Sequence, residues 1–270
     1  MPAEMSGVAG AILPLPLAGE VRATTAAPGE GVFPEPVPAL TRSRCASPTS
    51  PAPRERLREW RVAEPFRPHD LLRIDVVAVA EIARDLPRWA AASLAAVPWV
   101  VVRRVPDYAG LLPVGIRGSN RAERCAAWLP PAAIVERRTP EDLTEAASWR
   151  GHPRRTEVPA LAVLDAVADL LSGSAWGPAG SIGFELATGH PAAHRDSDLD
   201  ILLRAPGRIG RGEAERILAG LAELPVRVDV ALETPLGACS LAEIATGGPA
   251  VVKTVVGPRL VHDPWAEQGA

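Results

Sequence analysis

"GSIGFELATGHPAAHRDSDLDILLR", residues 180–204, is the stretch on which the fold turns. It sets a glycine-serine step, Gly180 and Ser181, at the head of a short helical segment that Gly189 stops. Asp198 and Asp200 then stand at the mouth of an aliphatic run, Leu199 to Leu203, that reads as a strand. Side chains two apart on a strand share a face, so the two acids are expected to project together while Leu199 and Ile201 go to the other side. Neighbouring carboxylates repel, and Mg2+ relieves that repulsion, commonly between one or two carboxylates and the phosphates of a substrate.

Working outward, a turn rich in Pro and Gly leads to a helix from about Glu213 to Leu224 and then to "VRVDVAL" from Val226. Asp229 interrupts this otherwise apolar alternating strand, which packing alone does not explain. The strand is expected beside the first, with Asp229 facing the pair, and three carboxylates so placed could hold two metal ions about 4 Å apart. Gly180 lets the backbone approach a phosphate, and the Ser181 hydroxyl beside free amides at a helix start makes an anion site. Arg195, Ser197 and Lys253 in "AVVKTVVG" are expected to add donors to a polyphosphate. The expected catalytic and metal-binding set is therefore Asp198, Asp200 and Asp229, with Gly180, Ser181, Arg195, Ser197 and Lys253 binding substrate. His194 and Arg195 read either as a solvated loop or as phosphate contacts.

Upstream, "VPALAVLDAVADLLSG" predicts an amphipathic helix from about Pro159, stopped by Gly173. Earlier still, "PHDLLRID" leads into a helical stretch around Val76 to Ala95, and "WVVVRR" and "LLPVGIRG" read as strands in a hairpin-like arrangement. "NRAERCAAWL" reads as a helix or as a crossing from sheet to helix. Thr139 is expected to cap a helix with Pro140 first and Asp142 in the first turn. Asp70 reads as a helix cap, Glu185 as structural, and Trp99, Trp128 and Trp176 as core. "VGIRG" is too short for a dinucleotide fingerprint. The fold class is α/β (α+β): a mixed sheet in a catalytic domain over 156–270, a smaller α+β module over 66–155, and a Pro-, Ala- and Ser-rich extension over 1–65 expected to be disordered.

Composition narrows the function. A net charge of −3 with 23% charged residues offers no basic excess for gripping nucleic acid. Cys45, Cys125 and Cys239 are widely spaced, which argues against a disulfide framework and a structural zinc site and suits a reducing cytoplasm. The apolar run near Val8 to Ala18 is short and broken by Pro14 and Pro16, so no membrane span is expected.

Gly-Ser, then Asp-x-Asp at a strand start, then an Asp on the next strand resembles the polymerase-β-type nucleotidyltransferase signature. The longer segments "WGPAGSIGFELATG", "SDLDILLRAP", "RVDVALETP" and "KTVVGPRLVHDPW", with "PHDLL", "WVVVRR" and "VGIRG" before them, closely resemble the malonate decarboxylase holo-acyl-carrier-protein synthase family, also called the phosphoribosyl-dephospho-CoA transferase family. The likeness spans about Pro68 to Trp265. It implies a nucleotidyltransferase-like fold and transfer of the phosphoribosyl-dephospho-CoA group from 2'-(5''-triphosphoribosyl)-3'-dephospho-CoA to a serine of the malonate decarboxylase acyl-carrier protein, releasing pyrophosphate. On that resemblance Asp198 and Asp200 hold Mg2+ on the triphosphate and Gly180 with Ser181 cradles the leaving pyrophosphate. Asp229 completes the metal cage or helps to deprotonate the serine. Arg103, Arg104 or Arg117 are expected to dock the acidic carrier. The alternatives are the same chemistry on another acceptor, such as the citrate lyase carrier or a small molecule, and an inactive fold kept as a binding module.

Overall fold

Five short segments with apolar residues at alternating positions make the first sheet: Leu71–Ile74 (β1), Trp99–Val102 (β2), Leu112–Arg117 (β3), Arg124–Leu129 (β4) and Ile134–Arg138 (β5). They pair antiparallel in the order β4-β3-β2-β1-β5. The computed structural model of the chain describes residues 65–120 and 122–266. The expected disordered extension over 1–65 lies, Pro65 apart, outside the described residues, as does the apolar run near Val8.

Period-two alternation gives this sheet two working faces. Leu72, Ile74, Val100, Val102, Val114 and Ile116 pack with Ala78, Val79, Ala90 and Leu94 of the helices Val76–Ile82 (α1) and Arg88–Ala96 (α2). Leu71 and Trp99 point the other way and join the larger core of the second sheet. The single helix expected over 76–95 is broken, because a 3-10 turn at Ala83–Asp85 intervenes and Pro87, which has no N–H to donate, caps α2. Asp75 caps α1 by accepting from the Val77 and Ala78 N–H groups.

Three other expectations fail here. "NRAERCAAWL" contains β4 rather than a helix: its residues alternate in exposure and pair in register with β3, from Leu112 opposite Leu129 to Arg117 opposite Arg124. Asp70 caps no helix; it precedes β1, is fully buried, accepts from the Arg67 N–H at 2.8 Å and pairs with Arg137 at 2.7 Å. Trp99 and Trp176 are buried as expected, but Trp128 stands exposed on the edge strand β4, its ring 5.8 Å from that of Tyr108.

The second sheet is mixed, six-stranded, and ordered β11-β10-β9-β8-β7-β6. Its strands are Trp176–Pro178 (β6), Leu199–Arg204 (β7), Val228–Thr234 (β8), Gly237–Ser240 (β9), Ala250–Thr254 (β10) and Gly257–Val261 (β11). Only β7 and β8 run parallel, which requires the crossover helix Arg211–Ala222 (α7) between them. Pro140–Ala146 (α3) has Thr139 as its cap, as expected, and the cap is a reciprocal box, Thr139 and Asp142 each bonding the other's backbone N–H. Pro159–Ala162 (α4), Leu164–Leu170 (α5), Gly180–Thr188 (α6) and Leu241–Thr246 (α8) complete the described helices. Helix and sheet are both present throughout, so the chain is α+β, and no helix among the described residues is long and apolar enough to cross a membrane.

Ion pairs stitch the two sheets together. Arg104, just past β2, makes a two-pronged pair with Glu233 of β8, at 2.6 Å on its first contact. Arg204 of β7 pairs with Glu141 of α3. Arg104 is thus spent inside the molecule and unavailable as a carrier-docking residue. His69, in left-handed backbone at φ 75°, lies against this network. Burial pulls its imidazole down to about 4, Arg104 and Arg204 adding to the effect and Glu233 opposing it. An unfolded histidine takes up a proton near pH 6.5 while the folded one resists to about 4. Stability should therefore fall as pH drops from about 6.5 to about 4, by up to about 3 kcal/mol. Asp70, raised by burial, titrates in the opposite sense, so the check is a comparison of denaturation midpoints against pH for the wild type and His69→Asn. Asparagine tolerates left-handed backbone; the variant should lose the acid-side slope that histidine supplies.

Candidate active site

The site begins where β6 hands over to α6. The Ala179 N–H donates to the Asp200 carbonyl at 2.8 Å, which fixes the end of β6 against β7. Gly180 then turns through left-handed backbone, φ 59°, and opens the helix. An added Cβ at Gly180 would stand 1.9 Å from Asp200 Oδ2. Only glycine permits this arrangement, because it removes the steric penalty of the positive φ and leaves room for the carboxylate against the helix start.

The loop from α6 to β7 is clamped from below. Gly189 ends α6 in left-handed backbone, φ 70°. Glu185, fully buried on the helix, accepts from the Ala192 and Ala193 N–H groups at 2.9 and 2.8 Å and from Arg154 Nη1 at 2.8 and 2.9 Å. Arg154 also donates to the Ala193 carbonyl at 3.1 Å. Nearer the acids, Ser197 Oγ accepts from the His194 N–H at 2.9 Å, and the Ser197 N–H returns to the His194 carbonyl at 3.1 Å. These bonds deliver Asp198 to the start of β7. The structural reading of Glu185 agrees with its contacts.

Asp198, Asp200, Ser181 and Ser197 line one cavity of about 690 Å³, a size suited to a drug-sized or nucleotide-sized ligand. The cavity's other wall comes from the first sheet and its helix: Ala92, Ser93 and Ala96 of α2, Val97 just past its end, Trp99 at the start of β2, then Ile116 to Asn120 and Arg124. Arg117 ends β3 with its guanidinium 5.7 Å from the Phe184 ring centroid on α6. Burial lowers the Arg117 pKa, Arg124 adds to that, and Asp200 pulls it back up, so the arginine and the acid lie within electrostatic reach. Arginine remains charged regardless.

The other expected residues fall out differently. Asp229 is in register with Asp200 on the parallel neighbour, so their side chains share a face as anticipated. Its carboxylate, however, is half exposed, bonds Arg227 at 3.2 Å and does not line the cavity. The three-carboxylate cage is not assembled: among the described residues no three His, Cys, Asp or Glu are placed to hold a metal ion. What does converge is Asp198 and Asp200 on one cavity, and two carboxylates completed by substrate phosphates is a donor set Mg2+ accepts. Arg195 is exposed and lies outside the cavity lining. Lys253 is not brought there either: it pairs with Ala238, which pairs with Glu233, which pairs with Arg204, at the opposite end of the strands from Asp200 and Asp229.

Arg117, Arg124 and Phe184 line the cavity without having been singled out for it. The available signal was a strand closing on arginine before the Gly118-Ser119-Asn120 turn. The sequence reading gives Arg117 a docking role and no place at the acids.

Residues 144–264 match the family model described as the phosphoribosyl-dephospho-CoA transferase MdcG C-terminal domain, and residues 67–140 match that of the MdcG N-terminal domain. Curated proteins named phosphoribosyl-dephospho-CoA transferase are similar over most of their length. That of Azotobacter vinelandii (strain DJ / ATCC BAA-1303) is 44% identical over 76% of this chain and 96% of its own. That of Pseudomonas putida is 43% identical over 74% and 95%, and that of Klebsiella pneumoniae (strain 342) 39% over 74% and 96%. No solved structure matches the chain.

Proposed function

Given that the chain belongs to the phosphoribosyl-dephospho-CoA transferase family, we propose that it moves the phosphoribosyl-dephospho-CoA group from 2'-(5''-triphosphoribosyl)-3'-dephospho-CoA to a serine hydroxyl of the malonate decarboxylase acyl-carrier protein. The observation that carries this reading is the convergence of Asp198, Asp200 and Ser181 on one cavity, with Asp200 seated over Gly180. In the step we propose, the serine oxygen forms a bond to the α-phosphorus of the triphosphate. The bond from that phosphorus to the bridging oxygen breaks, and pyrophosphate leaves with the electron pair. The serine proton passes to a carboxylate; Asp229, half exposed and in register with Asp200, is the one open to an acceptor arriving from solvent.

Ser181 and the backbone amides at the start of α6 face the leaving phosphates in this reading, where a helix N-terminus favours negative charge. Mg2+ held by Asp198 and Asp200 would neutralise charge on the triphosphate, the usual role of the metal in phosphoryl transfer by nucleotidyltransferases. We assign residues 156–270 as the catalytic domain and 66–155 as the module that closes the cavity. We place the reaction in the cytoplasm, which three widely spaced cysteines suit.

Incubating the protein with apo carrier, the triphosphoribosyl precursor and Mg2+ tests the assignment by intact mass. The wild type should add the phosphoribosyl-dephospho-CoA mass, and Asp200→Ala should slow that addition about 10²- to 10³-fold or more. Failure of the wild type to modify this carrier, or an unimpaired Asp200→Ala protein, overturns the reading.

A further inference from the structure

We propose that Arg117, delivered by the five-stranded sheet, binds the phosphate chain of the substrate from the wall opposite the two acids, making a phosphate subsite that spans both sheets. The inference rests on the transferase reading for the identity of the phosphate, and on the geometry for the subsite itself.

Arg117 and the acids line the same cavity. The arginine is half-buried, yet among the described residues no carboxylate lies within ion-pair distance of it and no acceptor takes a hydrogen bond from its guanidinium. Arg104, Arg154 and Arg204 have Glu233, Glu185 and Glu141. A half-buried guanidinium whose donors no carboxylate takes, on the wall of the cavity that the acids line, is free to meet an incoming anion.

Its orientation is already set. The guanidinium lies over the Phe184 ring, and Phe184 stands three residues, about one turn, beyond Ser181 on α6. The fork is therefore held beside the helix start that the transferase reading gives to the leaving pyrophosphate. Arg124 is opposite Arg117 in the β3-β4 register, so the two guanidinium-bearing side chains share a face, and both line the cavity. Like charges directly across a ladder repel. A polyphosphate offsets that repulsion, and a planar fork meets phosphate oxygens with two parallel bonds, which an ammonium does not.

The test is direct binding, independent of turnover. Inorganic pyrophosphate with Mg2+ is titrated by calorimetry into the wild type, Arg117→Lys and Arg117→Gln. The wild type should bind, Arg117→Gln at least about 10-fold more weakly, and Arg117→Lys in between, with the fold of each variant checked by its melting temperature because the contact with Phe184 changes. In the transfer assay the same variants should show weaker inhibition by pyrophosphate and an unaltered KM for the carrier. Equal pyrophosphate affinity in the wild type and Arg117→Gln, or no binding by the wild type, overturns the subsite. A wild type that binds pyrophosphate through Arg117 and still modifies no carrier leaves the subsite standing and removes the assigned reaction.

Discussion

Gly180→Ala should lower kcat/KM for carrier modification by about 10²-fold or more while leaving the protein folded. The added Cβ would sit 1.9 Å from Asp200 Oδ2, a separation no real pair of atoms tolerates, so the carboxylate or the helix start must move. Moving a reacting group by about an ångström is enough for a loss of that size. Alanine also pays the left-handed backbone penalty at φ 59°, about 1–2 kcal/mol. Gly189→Ala separates the two effects. Gly189 has nearly the same φ, 70°, but nothing within 4 Å of its notional Cβ. That variant should lose about the same stability and keep its activity. Equal kcat/KM for the two variants, measured alongside urea denaturation, would show that the glycine serves the backbone and not the acid.

Glu185→Ala should cost about 3–5 kcal/mol in urea or guanidinium denaturation, the range found when one member of a buried ion pair is removed. The carboxylate is fully buried and satisfies two backbone N–H groups as well as Arg154. Its loss leaves the arginine without its buried partner and the amides of Ala192 and Ala193 without an acceptor. Since domains are stable by only about 5–15 kcal/mol, the variant should melt far earlier than the wild type. Glu185→Ala combined with Arg154→Ala should cost less than the two single changes added together, because the two side chains contact each other directly. Strict additivity would mean that the pair is not coupled and that the loop is held by other contacts.

The two acids could be placed from sequence because the information is local. A strand alternates its side chains every residue, and Asp-Leu-Asp before an aliphatic run states which residues share a face. The glycine stop of α6 and the Thr139 cap of α3 follow from equally short-range rules. Segments without such a signal take their structure from their neighbours. Arg124–Leu129 holds two alanines, an arginine and a leucine, which favour helix by propensity, yet pairing against β3 makes it a strand. The chain at 71–74 and at 134–138 is too short to announce itself, and becomes strand because each segment fills an open position in the first sheet.

By itself, then, the sequence determined the α+β class, the face shared by Asp198 and Asp200, the glycine-serine helix start and the family likeness. Each of these is encoded by residues within a few positions of one another or by extended similarity. Only the tertiary structure decided which distant groups meet. It put Lys253 at the wrong end of the strands, buried Arg104 against Glu233 and brought Arg117 to the cavity that the acids line. Those outcomes depend on sheet order and on the packing of one sheet against another, where contact partners lie tens of residues apart and no local pattern records them.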